Sequence, residues 1–139
     1  FASRDDLRVL EKNEVLAEQI QPEEAAGIRQ LNEWRMAVGL NALLIDPKLC
    51  EASRDHSKDM AEHGFFAHES PIPGKRHFTM RAKNFGTTAR SENLAINNGA
   101  KASNRAWFHS PGHHKNFFAQ GRSYVGLGGH GRHWTQMFR

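Results

Sequence analysis

A single cysteine, Cys50, stands in 139 residues, so no intrachain disulfide can form, and neither a disulfide framework nor a CxxC zinc knuckle is available. Its neighbours Leu49 and Ala52 predict a thiol packed in the interior as a small hydrophobe. No apolar run approaches the roughly 20 residues that cross a bilayer, so no membrane span is expected. HExxH, GxSxG and the phosphate-loop pattern are all missing, which removes the commonest short signatures of metalloproteases, serine hydrolases and nucleotide hydrolases. The basic residues are scattered singly, with no basic run of the kind that tracks a phosphate backbone, so nucleic acid is not an expected partner. The start has no charged segment leading into an apolar one, and the first residue is Phe1, which suggests a processed chain or one cut from something longer.

Acid is scarcest in the second half. Residues 1–69 carry 14 acidic and 8 basic side chains, whereas residues 70–139 carry 11 basic side chains and one acid, Glu92. Six of the nine histidines share that half. A lone carboxylate among so many cations and imidazoles marks the place to look for function, the plainer alternative being a basic face that attracts an anionic partner. What is present otherwise is ordinary for a globular chain: 38% hydrophobic and 24% charged residues, with nine Phe and three Trp. The length suits one core, read as a domain over residues 22–139 preceded by an N-terminal extension, helix or linker, over 1–21.

Helix signals come first along the chain. Pro22, Glu23 and Glu24 suit a helix N-terminus whose periodic face is Ile28, Leu31, Trp34, Arg35 and Val38, ending at Gly39. Asp46 as N-cap, Pro47 at the first turn and Gly64 as the stop define the next helix. Shorter helices are expected over 78–85 and 101–109, then over 112–118 after the Ser110-Pro111 break. Strands are expected over 92–96 and as a hairpin of 123–128 and 132–138 around Gly129-His130-Gly131. In the last strand His133, Thr135 and Met137 should share one face, and Trp134, Gln136 and Phe138 the other. Helices followed by a hairpin-based sheet predict an α+β layered domain.

Four stretches in this order, Leu31-Asn32-Glu33-Trp34-Arg35 with Gly39-Leu40, Phe65-Phe66-Ala67-His68-Glu69-Ser70-Pro71, Ser91-Glu92-Asn93-Leu94-Ala95, and Trp107-Phe108-His109-Ser110-Pro111-Gly112-His113 leading into His133-Trp134-Thr135-Gln136, resemble the CAP superfamily. That superfamily joins cysteine-rich secretory proteins, antigen 5 and pathogenesis-related proteins through a shared SCP domain, and the match is to its disulfide-poor bacterial branch. The resemblance implies a three-layer α-β-α sandwich with a central antiparallel sheet, export to the outside or the periplasm, and a cleft with two His and two Glu that binds zinc or another divalent metal in several members. Carried over by motif, the ligands are His68, Glu92 and His133. The second Glu is replaced by Ser110, and His113 is the candidate to fill its place.

Two imidazoles and a carboxylate suit a half-open zinc shell, which keeps a position for water or a guest. Zinc could bring its bound water to a pKa of about 7, yet hydrolysis also needs a positioned base and an oxyanion donor, which the sequence does not announce. The expected function is therefore a monomeric binding module whose cleft holds a divalent cation and an unknown small molecule, lipid or peptide, with catalysis left open. The alternatives are a lipid- or sterol-binding or partner-binding scaffold with a vestigial site, and a metal-assisted peptidase.

Overall fold

The computed structural model describes residues 3–139. Helix α1 (Arg4–Leu16) runs through a short 3₁₀ turn into α2 (Pro22–Ala37), followed by β1 (Leu44–Ile45), α3 (Pro47–His63) and α4 (Phe78–Asn84). Then come β2 (Ser91–Ile96), α5 (Ala100–His109), α6 (Pro111–Phe117), β3 (Tyr124–His130) and β4 (His133–Phe138). The strand order is β1-β3-β4-β2. α3 and α4 cover one face of the sheet, and α2, α5 and α6 the other, which is the expected three-layer arrangement.

The local signals explain the helix boundaries. Asp46 accepts from the backbone N–H of Lys48 at 3.0 Å and of Leu49 at 3.2 Å, capping α3, and Gly64 ends it with φ of 67°, a left-handed value glycine adopts freely. Ser110 separates α5 from α6 in extended conformation, as a residue before proline must, so His109 and His113 do not share one continuous helix. The N-terminal segment is a helix docked on the domain. Asn13 is buried and bonds Leu43 O at 2.9 Å and Ile45 N at 2.8 Å, and Asp6 accepts from Ala42 N at 2.8 Å.

Two features of the sheet differ from expectation. It is mixed, because the two-residue β1, too short to show periodicity, pairs parallel with β3. The hairpin also pairs further than its glycines suggested: His130 lies opposite His133, leaving Gly131 and Arg132 as the turn. The glycines of β3 do another job. Val125 and Leu127 enter the core under α2 and α5, whereas Gly126 and Gly128 face α3, whose backbone at Leu49 and Arg54 lies directly against them. The Trp134 ring then covers Gly129, its cross-strand partner.

Ile28, Leu31, Trp107, Leu127, Trp134 and Phe138 build the core on that first side, and Leu49, Ala52, Ala82 and Met137 the smaller one under α3 and α4. Trp107 and Trp134 are therefore core anchors, and Trp34 packs half-buried at the core's margin. Cys50 is fully buried, and burial pushes its thiol up to about 12, so it stays protonated and unreactive. Glu24, also fully buried, is gripped by both arms of Arg54 at 2.9 and 2.6 Å, which locks α2 to α3.

Candidate functional site

β2 is an edge strand, and its outer rim carries the chemistry. The carbonyl of Leu94 accepts from the Trp107 indole N–H at 2.9 Å, and that of Glu92 from Asn116 Nδ2 at 3.1 Å. Both side chains blunt an edge that would otherwise pair with another strand, and they fasten α5 and α6 to it. A buried amide relay continues beneath α6: Asn116 bonds Asn93 Oδ1 at 3.0 Å, and Asn93 bonds Gln136 Oε1 at 3.1 Å and the His113 carbonyl at 3.3 Å. α6 and its histidine are thereby held in fixed register with β2.

Glu92 sits on this rim with its side chain fully buried. One oxygen accepts from Arg81 Nη2 at 2.7 Å, and the other lies 2.8 Å from His68 Nδ1. The Arg81 side chain is likewise fully buried and donates further to the carbonyls of Lys75 and Arg76 at 2.9 and 3.1 Å. With the carboxylate charged against Arg81, the His68 nitrogen facing it must donate, so Nδ1 carries a proton and, in the neutral ring, Nε2 keeps its lone pair. The His68 side chain is 52% exposed, so the oriented ring opens toward solvent.

The loop bearing His68 follows the Gly64 stop and is pinned from below. His56, at zero exposure on α3, bonds the Ala67 carbonyl through Nε2 at 2.9 Å and stacks edge-on to Phe65. To donate to a carbonyl that nitrogen must be protonated, and burial lowers the ring's pKa, so His56 serves as a neutral clamp. Ser70 closes the other end, its N–H on Arg76 O at 2.8 Å and its hydroxyl accepting from Ile72 N at 3.1 Å.

His113 lies in the first turn of α6. Its pKa is lowered first by burial and then by the charge His68 can carry. Its Nδ1 is 3.1 Å from Ser110 Oγ. Position 110, where the resemblance implies a second Glu, thus supplies a hydroxyl that orients the substitute histidine.

His133 does not join them. The register that pairs Glu92 with Met137 pairs His133 with Ile96, four residues further along β4 and so roughly 13 Å away at about 3.3 Å per residue. It borders a shallow apolar notch of about 270 Å³ with Met60, Phe65, Phe66 and Ile96, and its lowered pKa reflects burial, then His130 and Arg132. Among the described residues, no three His, Cys, Asp or Glu side chains are placed to hold one ion. A four-ligand shell of His68, Glu92, His133 and His113 therefore does not fit this arrangement: strand register separates His133, and both oxygens of Glu92 are already engaged. The contact the geometry does make is between Glu92 and His68, with the carboxylate standing behind the imidazole as its orienting partner.

Arg81 is the component that sequence reasoning passed over. A signal existed, since the only carboxylate of the basic half, placed in an expected strand, needed a counter-charge if buried.

An α-β-α sandwich carrying a buried Glu at a sheet edge and histidines on the loop and helix around it is the architecture of an SCP domain. Residues 28–138 match the model of the cysteine-rich secretory protein family, CAP, and the chain belongs to that family. It is 34% identical over 112 residues to the uncharacterized protein YkwD of Bacillus subtilis, covering 77% of this chain and 43% of that one. It is also 29% identical over 108 residues to the uncharacterized membrane protein YlbC of the same organism, covering 77% of this chain and 31% of that protein. The chain thus spans less than half the length of these relatives. Among solved structures, an extracellular SCP-domain protein of Bacillus anthracis superposes with TM-score 0.75 at 25% identity, over 86% of this chain and 43% of that one. An outer surface protein of Borrelia burgdorferi shares the fold, with TM-score 0.68 at 16% identity over 99% and 94% of the two chains. No helix among the described residues is long and apolar enough to cross a membrane.

Proposed function

We propose that this is an exported CAP-domain binding module whose cleft captures a divalent cation, zinc by donor chemistry, on the imidazoles of His68 and His113, with water or a guest completing the shell. The observation that carries the reading is the 2.8 Å contact between Glu92 and His68 Nδ1, because a carboxylate behind an imidazole is the arrangement that fixes and strengthens a metal-binding Nε2. With Nδ1–H donated to Ser110 Oγ, His113 offers its own Nε2 in the same way. Zinc held there would act as a Lewis acid, gripping an oxygen of the guest. Arg81 favours Glu92 as an orienting group over Glu92 as a ligand, since its fixed charge already neutralises the carboxylate. Export is supported by the Bacillus anthracis neighbour, described as extracellular. A sterol- or lipid-binding scaffold and a metal-assisted peptidase draw no comparable support from these distances.

Calorimetric titration with zinc tests the reading. Binding should be lost or at least tenfold weaker in His68→Ala and His113→Ala, roughly 10- to 100-fold weaker in Glu92→Gln, and within twofold of the parent in His133→Ala. Metal binds only the neutral imidazole, so affinity should fall as pH drops below about 6.5. His113, whose pKa is depressed by burial, stays neutral to lower pH than a free imidazole. Loss in His133→Ala alone, with the other variants unchanged, would transfer the site to the hairpin.

A further inference from the structure

The last turn of α2 and the C-terminal half of α5 meet in an open groove. Trp34, Ala37 and Val38 form one wall, Phe108 and His109 the other, with Phe118 at one end and Arg105 on the rim of an open groove of about 370 Å³. Val38 is 62% and Phe108 39% exposed. The aromatic floor is built rigidly. Phe108 meets Trp34 edge-on at 5.4 Å, His114 at 5.2 Å and Phe118 at 5.9 Å, and the His114 ring reaches back to the Phe108 carbonyl at 2.8 Å. A partner would not have to order these rings on binding, which removes a large part of the usual entropic cost.

Charge indicates what the groove accepts. Helices α5 and α6 carry the cations Lys101, Arg105 and Lys115 and no carboxylate, and Arg105 is the one fixed charge among the described residues that line the groove. The single acid between residues 70 and 139, Glu92, is buried and neutralised by Arg81, so it does not offset this field. The occupant must therefore combine an apolar group for the groove with negative charge beside it. Shape decides between a free small molecule and a polypeptide. A ligand pocket normally encloses 70–90% of its guest, which an open groove cannot do, whereas one bulky side chain projecting from a peptide is held by three walls and needs no roof.

We propose that this groove docks an acidic polypeptide segment, seating one large apolar side chain between Trp34 and Phe108 with a flanking carboxylate on Arg105. Neither His68 nor His113 lines the groove, and docking in it does not depend on metal binding at those two residues.

The test is selection of random dodecapeptides displayed on phage against the intact chain, then fluorescence anisotropy of the enriched peptide. Enrichment of sequences with net negative charge around a Trp, Phe or Leu is expected. Binding should weaken at least tenfold in Arg105→Glu and in Val38→Asp, both surface changes, and fall between 50 and 500 mM salt because the rim contacts are screened. Failure to enrich acidic peptides would overturn the proposal, as would peptides that bind both variants as well as the parent. Phosphatidylglycerol vesicles supply the remaining comparison: if they bind with the same dependence on Arg105 and Val38 while no peptide does, the face belongs to a membrane and the proposal fails. Zinc titration of both variants should match the parent, which keeps this outcome separate from that of the metal reading.

Discussion

Replacing Arg81 with Ala should destabilise the protein by about 3–5 kcal/mol, because it leaves the buried Glu92 carboxylate without its counter-charge. Both side chains are fully buried, and the 2.7 Å contact is made without exposure at either end. Removing one member of such a pair costs far more than the pair contributes, since the survivor keeps its desolvation penalty and loses its compensation. The Lys75 and Arg76 carbonyls lose their donor as well, which loosens the turn leading into α4. For a domain of this size, a loss of that order corresponds to a melting temperature lower by roughly 10 °C, readable by circular dichroism. A double change, Arg81→Met with Glu92→Leu, should recover much of the stability, because neither charge is then buried. Recovery in the double variant and collapse in the single one would separate charge stranding from mere loss of packing.

Gly128→Ala should be nearly as damaging, although it adds one methyl group. That methyl would be driven into the backbone of α3, at Arg54 N and Cα and at Ser53 C, atoms that cannot rotate aside as a side chain end can. α3 or β3 must shift, at a cost of about 3 kcal/mol or more, toward the upper end for overpacking. Gly112→Ala is the matched control. Its new methyl meets nothing within 4 Å, and it lies inside α6, where alanine is favoured over glycine by roughly 0.5–1 kcal/mol. Urea midpoints of the two variants should move in opposite directions from the parent.

These two positions show where sequence reasoning reached and where it stopped. Helix ends were legible because each is set by one or two residues acting locally: Asp46 with Pro47, Gly64, and the Ser110-Pro111 break. The alternation in β4 was legible for the same reason, and Met137 does face α3 while Trp134 and Phe138 face α2 and α5. β1 was not, since two residues define no period and their pairing with Tyr124 and Val125 depends on chain about 80 residues away. Gly126 and Gly128 fall within an expected strand, but their reason for being glycine, an approaching helix, is invisible until the layers are stacked.

The candidate site divides along the same line. His68 and Glu92 are brought into contact. Motif order alone cannot place His133, because membership of a cluster depends on strand register, and four positions along a strand exceed the reach of any side chain in the group. Arg81 was hidden for a different reason. Its role depends on Glu92 being buried, a property of how β2, α4 and the His68 loop pack together, whereas in sequence it is one more cation in a basic half.

The central physical claim is that a buried, Arg81-paired carboxylate holds His68 with Nδ1 protonated and Nε2 open. Long-range proton–nitrogen NMR correlation of the histidine rings at about pH 7.5 reads this directly. The account predicts a His68 ring locked as the Nδ1–H tautomer in the parent and released to a mixture in Glu92→Gln. A parent spectrum showing Nε2 protonated, or a His68 tautomer unchanged by loss of the Glu92 charge, would contradict it.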